Sequence, residues 1–208
     1  MKTMIRIATR ILTTGALVAA TTSCGDVVRS NKSPALLVVD SLTAARGSAT
    51  ASNGATNLIS DVQTLVTTGG ACTTTNPCPT IFSDTGTMTL SLAPKDIAVG
   101  LTSNNQVTIT RVHVSYRRTD GRNTEGVDVP FSYDTATTAL VPTQGLGTIG
   151  FIIVRNQAKE EAPLVQLVNN GQLISAIIDV TAYGTDIVGN AVSATGSIGV
   201  TFGNFGDF

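Results

Sequence analysis

Few residues in this chain have the chemistry for catalysis. His113 is the single histidine. It stands among Val112, Val114 and Tyr116 but on the opposite parity, which aims it at solvent or at a second sheet edge. No Ser or Cys nucleophile motif accompanies it, so a general-base role has nothing to act on. Glu160 and Glu161 are adjacent, and in a helix or strand they diverge by about 100° or 180°, a poor geometry for an acid/base pair. Asp84, Asp96, Asp134, Asp179 and Asp186 are scattered. Asp186 and Asn190 share one turn and could line a calcium site with carbonyls, but no EF-hand or repeat spacing supports one. Gly145, Gly147 and Gly150 spell G-x-G-x-x-G in letter only, because a strand and no helix follows. No catalytic constellation, metal or cofactor is expected, and the reading is non-enzymatic.

Two groups suggest contact instead. Arg117, Arg118 and Arg122 surround an Asp120-Gly121 turn, with Asp120 and Glu125 interleaved. They read either as a solvated hairpin tip that protects a sheet edge, or as a basic contact for an acidic partner such as lipopolysaccharide phosphate or an acidic glycan. Phe205 and Phe208 lie in a Gly-rich tail (GNFGDF) that either packs back on the fold or serves as a recognition tag. With no Trp and three Tyr, the chain is poorly equipped to stack on sugars.

Composition narrows the classes further. The 13 Lys+Arg against 14 Asp+Glu exclude a nucleic-acid binder that works by neutralising phosphates. Only 13 % of residues are charged, and the abundance of Val, Ile and Thr is unlike a disordered tail. One His and three Cys cannot build a Cys/His zinc site of the usual kind.

The chain opens with a basic start (Lys2, Arg6, Arg10) and an uncharged apolar run, residues 11–20. Ten helical residues rise about 15 Å, half a bilayer core, so the run reads as a signal segment and not a membrane span. Thr21-Thr22-Ser23-Cys24-Gly25 follows. This resembles the bacterial lipoprotein signal, in which a small residue precedes a cysteine that is lipidated and becomes the new N-terminus; the usual Leu three places before the cysteine is Thr21 here. The resemblance implies residues 1–23 as signal peptide, lipid on Cys24, and residues 24–33 as a tether. Gly25 after the cysteine implies the outer membrane in a double-membraned cell, with the membrane face open. Cleavage after Ala20, with release of a soluble protein, is the competing reading. Cysteine parity favours lipidation, since it leaves Cys72 and Cys78 as a pair. In an exported protein their five intervening residues allow a local disulfide, which chain entropy makes worth about 2 to 2.5 kcal/mol.

Strands must position whatever this protein presents. Residues 34–42 (PALLVVDSL) are the first candidate. Residues 44–57 read as a loop, and residues 58–66 as a strand or one helical turn. Met88, Leu90 and Leu92 alternate with Thr and Ser. Val107 and Ile109 alternate, and then Val112, Val114 and Tyr116 do so on the opposite parity, which predicts a bulge or a change of sheet. Residues 119–121 make a hairpin turn, with Val127, Val129 and Phe131 as the return strand and Pro130 marking it as an edge. Residues 148–155 are another strand. The only short helix, residues 157–168, is interrupted by Pro163. A final hairpin places Ile174 to Ala182 and Val192 to Phe202 on single parities around a turn at residues 184–190.

Short strands separated by turn signals predict an all-β domain over residues 34–208. The pattern resembles an antiparallel immunoglobulin-like or fibronectin-like β-sandwich, without the Cys…Trp…Cys core of antibody domains. A lipocalin-like β-barrel is the runner-up. The function expected is a structural or accessory interaction subunit of the cell envelope, with an envelope protein as partner. The alternatives are a binding module for a glycan or small amphiphile, a hydrolase built around His113 with two carboxylates, and a fibre subunit that donates residues 34–42 as a strand.

Overall fold

In the computed structural model, residues 32–48 and 54–206 are described. The expected signal peptide, Cys24, nearly all of the tether and Phe208 lie outside them. The chain is all-β, with ten strands and one short helix among the described residues: Ala35–Ala45 (β1), Asn57–Asp61 (β2), Thr64–Val66 (β3), Cys78–Thr80 (β4), Asp84–Pro94 (β5), Val107–Arg118 (β6), Tyr133–Val141 (β7), Gly147–Val154 (β8), Asn156–Glu160 (α1), Ile174–Asp186 (β9) and Ala191–Gly203 (β10). A three-stranded sheet runs β1-β5-β8, and a five-stranded sheet runs β2-β10-β9-β6-β7. The small sheet is curled like half a barrel. β3 and β4 form a separate pair that carries the Cys72–Cys78 disulfide, with Cα atoms 5.3 Å apart.

Alternation decides which side of each strand is buried. Met88 and Leu90 on β5 and Ile149 and Ile153 on β8 face the same interior as Val114 on β6 and Phe202 on β10, all buried. Each such side chain contributes about 1.5–3 kcal/mol by leaving water. The parity change in β6 is a bulge: its register shifts between Ile109 and Arg111 against both β7 and β9. The bulge keeps Val107, Ile109, Val112, Val114 and Tyr116 all inside. A second shift, between Val39 and Ser41, does the same for β1, which buries Leu37 and Ala44 on either side of it. The sheets approach closely where β10 has Gly196, since a Cβ there would lie 3.1 Å from Val39. They are also tied by tyrosines: the Tyr116 hydroxyl donates to the Ile153 carbonyl at 2.7 Å, and the Tyr133 hydroxyl donates to the Ile152 carbonyl.

Four expectations change. The return strand is β7, not residues 127–131. Gly126 (φ +72°) turns the chain there, the Phe131 ring sits where a Gly126 side chain would go, and Pro130 has no N–H to give a ladder. β7 is nevertheless an edge strand. The pairing is not wholly antiparallel, because β2 lies parallel to β10. The helix expected over residues 157–168 is divided into α1 and a 3₁₀ segment, Leu164–Asn169, with a cis Ala162–Pro163 bond between them. Residues 34–42 are not a spare donor strand, because β1 pairs with β5 from Ala35 to Ala45.

Candidate functional site

The register of the five-stranded sheet puts a polar array on its outer face. Asp134, His113, Thr181 and Thr195 form one row across β7, β6, β9 and β10, while Ser115, Asp179 and Ser197 form the next. Asp134 Oδ1 accepts from Arg111 Nη1 at 2.8 Å and lies 3.3 Å from His113 Nδ1. The Arg111 guanidinium stacks 4.0 Å from the Tyr183 ring centre. Asp179 accepts from Arg117 Nε at 2.6 Å and from the Ser197 hydroxyl. Partial burial pushes the Asp179 carboxyl up, but these donors outweigh it and hold it below its ordinary value. His113 therefore has one carboxylate beside it, and the other carboxylate on this face is held by Arg117. Among the described residues, the pair of carboxylates a hydrolase reading needs around His113 is not assembled.

The arginines named from sequence separate. Arg117 lies on the sheet face, whereas Arg118 and Arg122 both clamp Asp120 at the hairpin tip, with Nη2–Oδ2 distances of 2.6 and 2.8 Å. Gly121 (φ +84°) makes the turn that allows this, which favours glycine. The hydrogen bonds from these two guanidinium groups hold the Asp120 carboxyl well below the usual carboxylate range. Phe205 is half-buried, its ring lies near Gly203, and its N–H donates to Asp61 Oδ1 at 3.3 Å, so the tail packs back on the fold at that residue. Asp186 is satisfied by its own turn: it accepts from the Val188 and Asn190 N–H groups and from Asn190 Nδ2, at 3.1, 2.8 and 2.8 Å. Those bonds occupy the oxygens that a calcium ion would need. Among the described residues, no three His, Cys, Asp or Glu side chains come together as a metal site.

Sequence reasoning missed a buried polar cluster at the opposite end of the strands from the β9–β10 turn. The Lys159 and Asp84 side chains are both 0 % exposed, and Lys159 Nζ donates to Asp84 Oδ1 at 2.9 Å and to the Asp61 carbonyl at 2.8 Å. The Gly47 N–H donates to the same Oδ1 at 2.7 Å, and the Ser60 hydroxyl donates to Oδ2 at 2.6 Å. Burial pushes the Asp84 carboxyl up and the Lys159 amine down, each against the pull of the other. Asp84 was legible, because it shares the inward parity of Gly86, Met88 and Leu90. Lys159 was not: it lies in a run of polar letters (NQAKEE), and a five-residue helix is too short to show a period.

The fold and these surfaces define an all-β protein with a polar sheet face and one sealed ionisable cluster. Comparison with protein-family models, with curated proteins and with solved structures returns no match.

Proposed function

We propose that this is an exported lipoprotein held to a cell-envelope membrane, the outer one in a double-membraned cell, by lipid on Cys24. Its domain is read as an immunoglobulin-like β-sandwich that works as a structural or accessory subunit and not as an enzyme. The observation that carries this reading is that, among the described residues, five of the six most exposed large apolar side chains lie at the end where the chain enters, Val127 being the sixth.

At one end the chain enters the domain. There the Ser33 hydroxyl bonds the Asp186 carboxylate, and the Lys95 N–H donates to the Pro34 carbonyl at 2.9 Å. Three loops at this same end expose large apolar side chains: Ile97 (91 % exposed) and Val99 between β5 and β6, Leu146 between β7 and β8, and Ile187 and Val188 between β9 and β10. Loop tips of this kind mark a contact with something apolar. The nine residues from Cys24 to Lys32, eight steps along the chain, reach at most about 28 Å fully extended. A lipid on Cys24 would thus keep this end at the bilayer surface, where the tips add apolar contact to that of the acyl chains. The other end carries the Arg118–Asp120–Arg122 tip and the Phe205 tail, with Val127, Phe131 and Leu173 exposed beside them. It faces away from the membrane and is the side offered, with Arg117, Arg122 and the aromatic tail through Phe208, to an envelope protein partner.

The test is fatty-acid labelling and crosslinking in intact cells, followed by mass spectrometry. Wild-type protein should take up label and fractionate with membranes, and Cys24→Ser should do neither. One protein partner at near-unit stoichiometry is expected. Unlabelled, soluble wild-type protein would overturn the anchor. Labelled protein without a partner would overturn the subunit role and favour a binding module for a glycan or amphiphile.

A further inference from the structure

The geometry points to an intramolecular amide bond between the Lys159 side chain and the Asp84 carboxyl, made by the folded protein itself. The inference is independent of the anchor and of any partner.

Four observations carry it. The two reacting groups are already within hydrogen-bond distance, with Lys159 Nζ 2.9 Å from Asp84 Oδ1. Both side chains are fully sealed from solvent. The carboxyl is polarised from both sides, by the Gly47 N–H on Oδ1 and the Ser60 hydroxyl on Oδ2. Finally, the amine is held in place: its second hydrogen bond, to the Asp61 carbonyl at 2.8 Å, restrains it beside the carboxyl.

In water an amine and a carboxylic acid stay apart as ammonium and carboxylate. Here burial acts on both groups towards the neutral acid and the neutral amine, which are the forms that condense. Holding the two in place supplies an effective molarity on the order of 10⁵ M or more. The step balances without any co-reactant. The Nζ lone pair forms a bond to Cγ, the Cγ–Oδ2 bond breaks, nitrogen passes one proton to the departing hydroxyl, and one water leaves. The Gly47 N–H holds the oxygen that becomes the amide carbonyl, as an oxyanion donor does in acyl transfer. The Ser60 hydroxyl supports the departing oxygen.

The bond would join the start of β5 to α1 across 75 residues of chain. It would fasten the small sheet to the segment that leads into β9, and unlike Cys72–Cys78 it would survive reduction.

The test is peptide mapping of the purified full-length protein after reduction, denaturation and trypsin. The expected product is a branched species joining the fragments that contain Asp84 and Lys159, lighter than their sum by one water and uncut after Lys159. Two separate fragments, with cleavage after Lys159, would overturn the inference and leave a buried ion pair. Lys159→Arg keeps the charge and should give only separate fragments; a branched species that persists in it would also overturn the assignment. If Lys159→Arg does not accumulate, the wild-type map decides alone.

Discussion

Two aspartates in this protein each meet basic side chains at hydrogen-bond distance, and they behave in opposite ways. Asp120 sits in the open between Arg118 and Arg122, and its carboxyl is held far below the ordinary value. Asp84 sits sealed against Lys159, and its carboxyl is pushed up. Solvent accounts for the difference. At the tip, water shares the solvation of the charges, so the hydrogen bonds from two guanidinium groups are enough to favour carboxylate. In the interior the loss of hydration dominates, and one ammonium, one hydroxyl and one backbone N–H do not fully replace it. Proximity of opposite charge therefore says little until burial is known. At the exposed site it yields a local clasp that salt can loosen. At the buried site burial works against it and pushes both partners towards their neutral forms.

The comparison breaks most sharply at Lys159. Lys159→Met keeps much of the volume but removes the amide bond and leaves the Asp84 carboxyl in the interior without its basic partner. We expect a loss of about 3–5 kcal/mol in urea unfolding, unchanged by added salt. A loss under about 1 kcal/mol would mean that water reaches the cluster and that the two sites do not differ in kind. Ser60→Ala should give the intermediate effect. It removes the hydroxyl that bonds Asp84 Oδ2 until that oxygen leaves, and in protein that has not formed the amide it should cost about 1–3 kcal/mol in the same measurement, because a buried acceptor loses its donor.

Asp120→Asn should give the smallest effect, a slight fall in thermal midpoint at low salt. In about 1 M salt the Debye length is about 3 Å, and the fall should vanish. Its pH dependence follows from the sign of the shift. The folded carboxyl titrates below its unfolded value, so its contribution is present above about pH 4 and fades as the pH falls through the depressed value. Wild-type and variant midpoints measured across acid pH should converge. A difference that persisted in high salt would mean that Asp120 acts by shaping the turn and not by charge.

Much of the fold was legible because strands write themselves into the sequence with period two. The final hairpin and the β6 bulge were readable from parity alone: the change between Ile109 and Val112 marks the place where the ladder slips. β7 was not readable. Its half-buried positions include Thr135, Thr137 and Ala139, so an edge strand with a thinly covered face shows little alternation, while Val127, Val129 and Phe131 mimic one. The parallel pairing of β2 with β10 leaves no local trace either, since the partners lie some 140 residues apart in the chain.

The same division holds for the candidate sites. Residue types and spacing by themselves determined that the chain is β-rich and near neutral, that Cys72 and Cys78 are close enough to pair, that His113 faces outward, and that Arg118, Asp120 and Arg122 share one turn. Each of these depends on neighbours a few positions apart, where backbone geometry dictates what can meet. Tertiary structure alone decided that Arg117 belongs to Asp179 and not to the tip, that most of the highly exposed apolar loop residues share the end where the chain enters, and that Lys159 reaches Asp84. Those encounters join residues 62 and 75 positions apart. They depend on which sheet faces which, and on the exclusion of water from the space between, and neither is a property of any short stretch of sequence.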